Sequence, residues 1–136
     1  MFCAVALVAT SSSFPQPKSG KALLDGSTFS VALAPRGKPA YATDTLTFAQ
    51  GLFHSSECDQ YRFQRGKYSA KNNGVVIEFE TETRSAKEGV MRWKGIVSGD
   101  DITIDYVWDN RGQSRYKYTA KGKRRNDVQH KGTSSN

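Results

Sequence analysis

From Thr28 to Lys121 apolar and polar side chains alternate in short runs, and each run ends at a glycine, proline or asparagine. Successive side chains of a β-strand point to opposite faces, so this period of two marks half-buried strands. Connections this short cannot form parallel crossovers, which need about a dozen residues or more, so neighbouring strands must pair antiparallel. No longer stretch keeps an apolar helical period, apart from a single turn near Lys21 to Leu24. The pattern predicts an all-β fold: an antiparallel up-and-down meander of about eight strands, curled into a closed or nearly closed barrel that leaves no edge exposed.

The individual strands can be assigned to faces. Phe29, Val31 and Leu33 share one face, and Leu46 and Phe48 continue it before Ala49-Gln50-Gly51 turns the chain into Leu52 and Phe53. Tyr61 and Phe63 resume the alternation, and Lys67 to Lys71 leads to Asn72-Asn73-Gly74, a pair suited to a tight hairpin. Beyond it Val75, Ile77, Phe79 and Thr81 face inward, with Glu78, Glu80 and Glu82 outward. The next strand turns Met91, Trp93, Gly95 and Val97 inward and Arg92 and Lys94 outward. Pairing Phe79 with Trp93, Thr81 with Met91, Glu80 with Arg92 and Glu78 with Lys94 brings apolar and charge patterns into agreement. Ile102, Ile104, Tyr106 and Trp108 follow, then Tyr116, Tyr118 and Ala120.

A chain of 136 residues has room for one such core, which spans residues 23–123. Residues 1–22 read as a leader and linker: an apolar run from Phe2 to Ala9, then Thr10-Ser11-Ser12-Ser13, then a Pro/Ser/Gly-rich segment. That order resembles the end of a secretion signal and predicts a periplasmic or secreted protein, although no basic segment precedes the run. The run is too short to span a bilayer as a helix. Residues 124–136 read as a basic, disordered tail, with Gly122 onward almost free of apolar residues. Five of the 20 Lys and Arg residues fall between Lys121 and Lys131, so the net charge of +7 belongs partly to this terminal segment. That location disfavours nucleic acid as a partner, even though Tyr116 and Tyr118 beside Arg115 and Lys117 could stack on bases.

The densest group of reactive side chains is His54-Ser55-Ser56-Glu57-Cys58-Asp59. A thiol beside an imidazole can act as a nucleophile if the two come within hydrogen-bond reach. His54, Cys58 and Asp59 could also ligate a metal, but zinc normally needs three or four protein ligands and His130 lies in the tail segment. A structural turn in which Cys58 packs as a small apolar residue is the simpler reading, so neither a catalytic residue, a metal nor a cofactor is expected. The three glutamates, facing basic residues across the strand pair, read as a surface salt-bridge ladder. No phosphate loop, nucleophile elbow or paired Cys-x-x-Cys occurs in the chain.

Leu24-Asp25-Gly26-Ser27-Thr28-Phe29, Asp44-Thr45-Leu46-Thr47-Phe48, Phe53-His54-Ser55-Ser56-Glu57-Cys58-Asp59, Lys87-Glu88-Gly89 and Trp93-Lys94-Gly95 together resemble small exported bacterial proteins to which no activity is assigned. The resemblance implies a lipocalin-like or calycin-like barrel behind a secretion signal. It also implies a hallmark site at Phe53, His54, Ser55, Ser56, Cys58 and Asp59. The expected function is non-catalytic binding of a small apolar or amphipathic ligand by His54, Tyr61, Phe79, Trp93, Tyr106 and Trp108. Alternatives are an envelope protein contacting anionic partners and a Cys-His enzyme or metal protein. Oligomeric state and ligand identity are not encoded in any pattern here.

Overall fold

The computed structural model describes residues 21–112 and 115–126. Residues 1–20 of the expected leader and linker (1–22) and 127–136 of the expected tail (124–136) lie outside them. Eight strands form one closed antiparallel barrel in chain order: β1 (Ser27–Pro35), β2 (Ala42–Ala49), β3 (Leu52–Ser55), β4 (Gly66–Asn72), β5 (Ile77–Ser85), β6 (Gly89–Ser98), β7 (Asp101–Asp109) and β8 (Arg115–Arg124). β8 returns to pair with β1, so each strand has a neighbour on both sides. The meander read from the alternation is this up-and-down barrel. A 3-10 turn at Lys21–Leu24 precedes it, as the sequence suggests, and a second 3-10 helix, Ser56–Tyr61, interrupts it.

That second helix corrects the strand expected through Tyr61 and Phe63. Arg62 adopts a left-handed conformation at its end (φ 66°, ψ 32°), and its amide donates to the Asp59 carbonyl at 2.9 Å. The chain there folds over one end of the barrel. As a result β3 and β4 share only the pairs Leu52–Lys67 and Phe53–Gly66.

The pairing of β5 with β6 is displaced by two residues from the expected one. Thr81 lies opposite Trp93, Thr83 opposite Met91, Glu80 opposite Lys94 and Glu82 opposite Arg92. A two-residue shift keeps every side chain on its face, which is why alternation alone cannot detect it. Steric fit selects the observed register: Phe79 falls opposite Gly95, and a Cβ on Gly95 would lie 2.4 Å from Phe79 Cε1. Of the expected charge ladder, Glu82 bonds Arg92 at 3.0 Å, whereas Glu78 accepts from Asn73 Nδ2 at 3.1 Å.

The two-residue hairpin sits at Gln50-Gly51, where both residues have positive φ (54° and 77°). The Asp25 carboxylate accepts from the Gly51 amide at 3.0 Å and steadies this turn. The Asn-Gly pair instead lies in a longer loop, 73–76. There the Asn73 side-chain oxygen accepts from the amides of Val75 and Val76, and Val75 is exposed rather than inward.

The basic segment also differs from expectation. Lys121, Lys123 and Arg124 belong to β8: Lys123 pairs with Asp101, Arg124 with Asp100, and the Arg124 guanidinium lies over the Phe29 ring at 4.9 Å. Gly122 allows this closure, since a Cβ there would lie 1.8 Å from the Ser30 carbonyl oxygen. Part of the positive charge is thus built into the barrel wall.

Aromatic rings fill the half of the barrel nearest the Gln50-Gly51 turn. Phe48 is the hub, edge-to-face with Phe29 (6.0 Å), Phe53 (5.3 Å), Tyr68 (4.9 Å) and Phe79 (5.1 Å). Such geometry suits the ring quadrupoles and adds to the burial of each ring. The Tyr68 hydroxyl donates to Asp25 at 2.7 Å and accepts from the Leu24 amide at 3.0 Å, tying the entry turn across the end.

Candidate functional site

The opposite half is not filled. A cavity of about 330 Å³ enters the barrel at the end formed by the β1–β2, β5–β6 and β7–β8 connections and the Ser56–Tyr61 helix. Its size falls at the lower end of small-molecule sites. If a water occupies about 30 Å³, the volume suits a ligand of roughly ten non-hydrogen atoms.

Strand pairing builds one wall. Trp93 on β6 lies opposite Tyr106 on β7, which lies opposite Tyr118 on β8, so alternation directs three rings inward side by side. The rings stack, Trp93 on Tyr106 at 4.2 Å and Tyr106 on Tyr118 at 5.1 Å, each with a 20° interplanar angle. Tyr41, from the β1–β2 loop, extends the row at 6.4 Å from Tyr118. Across the mouth, Trp108 packs against Tyr61 at 6.0 Å. Trp93 also touches Phe53 at 4.8 Å, so it forms the floor between the filled half and the cavity.

The polar groups divide by whether they are already bonded. The Trp93 and Trp108 indole N–H groups donate to Thr83 Oγ1 (3.0 Å) and the Glu88 carbonyl (2.7 Å), so neither offers the cavity a free donor. Among the described residues, no hydrogen bond engages the hydroxyls of Tyr41, Tyr61, Tyr106 or Tyr118. Tyr106 is only 4% exposed yet lines the cavity, so its hydroxyl faces that space. Burial pushes the Tyr106 hydroxyl above its usual pKa, and the nearby Tyr41, Cys58, Tyr118 and Asp44 push it in the same direction. Burial likewise raises Tyr41, followed by its neighbours Tyr118, Glu57, Tyr61 and Cys58. Groups from five different segments therefore converge on one small volume.

Asp44 anchors this arrangement. It shares the inward face of β2 with Leu46 and Phe48, is buried, and lines the cavity. Its carboxylate accepts from Ser55 Oγ (2.5 Å), Ser56 Oγ (3.1 Å) and the Glu57 amide (2.8 Å). It was not among the residues expected at a site, although a carboxylate in phase with two inward apolar residues is a signal the sequence carries.

The expected ligand residues separate into two groups. Tyr61, Trp93, Tyr106 and Trp108 all line the cavity. Phe79 packs in the filled half on Phe48 and Phe53. His54 lies out of phase with the buried Phe53 and Ser55, and its Nε2 bonds Asp59 Oδ1 at 2.8 Å. Tyr116, on the inward parity of β8, sits at the rim, 43% exposed and 5.5 Å from Trp108.

The Phe53 to Asp59 segment divides by function within the fold. Phe53 is core, Ser55 and Ser56 hold Asp44, and Asp59 holds His54. Cys58 is buried with its thiol 3.7 Å from Met91 Sδ, and no hydrogen bond joins it to His54 among the described residues. Burial pushes the Cys58 thiol up to about 12, with the neighbouring Ser55 hydroxyl acting against it; Asp44, Glu57 and Asp59 raise it further. A thiol held in its neutral form is a poor nucleophile and a poor metal ligand. Among the described residues no group of three His, Cys, Asp or Glu side chains is arranged to hold a metal.

Two larger, open depressions, about 700 and 910 Å³, lie on the outer wall of β4 to β7. Charges of both signs line them, with Arg92 bonded to Glu82 at 3.0 Å and Arg36 near Asp105 at 3.8 Å. These depressions lie on the charged outer wall, outside the barrel interior.

No family model, curated protein or solved structure matches the chain. The eight-stranded closed barrel is consistent with a lipocalin-like fold.

Proposed function

We propose that this barrel binds a small amphipathic molecule at its open end and performs no covalent chemistry on it. The observation that carries the reading is the division of the interior. One half is packed with rings, while the other holds a cavity of about 330 Å³ walled by the stack of Trp93, Tyr106 and Tyr118. The apolar body of a ligand would lie against these rings, and the hydroxyls and carboxylates at the wall would orient its polar end. The neutral Cys58 thiol and the His54–Asp59 pair supply no activated nucleophile in that space.

Both tryptophans of the chain line the cavity, so intrinsic fluorescence reports occupancy directly. Titration with 2-phenylethanol, a neutral probe of suitable size, is expected to give a saturable change in emission, with a midpoint in the micromolar to millimolar range usual for so small a ligand. A linear, unsaturable response up to the solubility limit would contradict the reading.

The sequence also supports export from a bacterial cell, through the apolar run Phe2 to Ala9 and the small residues after it. Expression of the full chain in a bacterium, followed by fractionation and N-terminal sequencing, tests this proposal. A processed product outside the cytoplasm is expected, and an unprocessed cytoplasmic one would count against it.

A further inference from the structure

We propose that the open-end cavity selects small organic cations, that is, amines or quaternary ammonium groups carried on an apolar body. The proposal rests on reading this cavity as a ligand site and adds the chemical class of the ligand.

The charges at the wall give the first reason. The chain has 20 Lys and Arg against 13 Asp and Glu, yet among the described residues the charged side chains lining the cavity are Asp44 and Glu57, with no Lys, Arg or His. Neither acid has an ion-pair partner among the described residues; the same holds of Asp25, Glu78, Glu80 and Glu88, but among the described acids Asp44 alone is buried. Asp44 is only 5% exposed, and its three donors, two hydroxyls and an amide, are neutral. A carboxylate removed from water without a counter-charge is costly, and a cation arriving in the adjoining cavity offsets that cost.

The rings give an independent reason. With its indole N–H bonded to the Glu88 carbonyl, Trp108 at the mouth meets the cavity through its ring rather than through a donor. Aromatic faces around a carboxylate attract ammonium groups through the ring quadrupole, and repel anions. The hydroxyl of the buried Tyr106, without a partner among the described residues, adds an acceptor for an ammonium N–H.

The test compares three probes of nearly equal shape, 2-phenylethylamine, 2-phenylethanol and phenylacetate, titrated into the full chain at neutral pH and low salt. The amine is expected to bind about tenfold more tightly than the alcohol, phenylacetate more weakly than either, and the amine's advantage to shrink as salt is raised. In Glu57→Gln, a half-exposed position, the amine should lose about threefold relative to the alcohol, whose affinity should hold. Asp44→Asn should cost more if the variant folds; Glu57→Gln carries the test if it does not. Equal or better binding of the alcohol or phenylacetate would overturn the charge selectivity and leave the cavity reading standing, as would an unchanged preference in Glu57→Gln. Failure of all three probes to bind would overturn both.

Discussion

The two halves of this barrel are made from the same kinds of residue but put them to different use. Near the Gln50-Gly51 turn, four rings surround Phe48 edge-to-face and the Tyr68 hydroxyl is bonded on both sides. At the other end, rings line up in a row along one wall, four tyrosine hydroxyls lack partners among the described residues, and two acids stand without cations. The filled interior bonds its polar atoms and closes its rings around one hub, whereas the other end stacks its rings along one wall and leaves polar atoms beside an open volume. The floor residue Trp93 belongs to both halves, touching Phe53 on one side and Tyr106 on the other.

If this division is real, the halves respond differently to substitution. Phe48→Ala removes the hub of the filled half and should destabilise the protein by about 3–5 kcal/mol, seen as a lower denaturant midpoint. A loss of less than about 1 kcal/mol there would mean the filled half is not close-packed. Tyr68→Phe leaves the buried Leu24 amide without its acceptor, and should cost about 1–3 kcal/mol without altering binding of a probe at the far end.

Alkaline pH tests both halves together. The Cys58 thiol stays protonated in the folded barrel to about 12, while in the unfolded chain it ionises near 9.0. Above that lower value the unfolded state binds fewer protons, so stability is complete below it and falls as pH rises toward the folded value. Tyr68, Tyr106 and Tyr118 are raised for the same first reason, burial, and act in the same direction. Thermal melts between neutrality and strongly alkaline pH should show a monotonic decline; a flat profile would contradict the buried placement of these groups. Smallest in stability is Tyr61→Ala at the mouth, expected to shift unfolding by about 0.5–1 kcal/mol at most while weakening probe binding about tenfold.

The strands and their faces could be read from the sequence because a period of two is a local property. Register could not: shifting β5 against β6 by two residues preserves every face, and only the fit of Phe79 against Gly95 decides it. The stretch through Tyr61 and Phe63 misled because alternation over so few residues also suits a 3-10 helix followed by a left-handed residue. Four of the six expected ligand residues meet at one cavity: inward parity on β6 and β7 carries Trp93, Tyr106 and Trp108 there, and the 3-10 helix brings Tyr61. His54 was grouped with them by chemistry alone, although its parity with Phe53 and Ser55 places it on the opposite face. The inward carboxylate Asp44 was legible by the same rule, from its phase with Leu46 and Phe48.

The most direct test of the division is a two-dimensional amide and indole NMR spectrum of the protein titrated with 2-phenylethanol. The account predicts progressive shifts of the Trp93 and Trp108 indole N–H signals and the Tyr106 amide, with the amides of Leu24, Gly51 and Tyr68 in the filled half unmoved. Shifts confined to the outer wall around Lys67, Glu80 and Arg92, or no shifts at all, would contradict it.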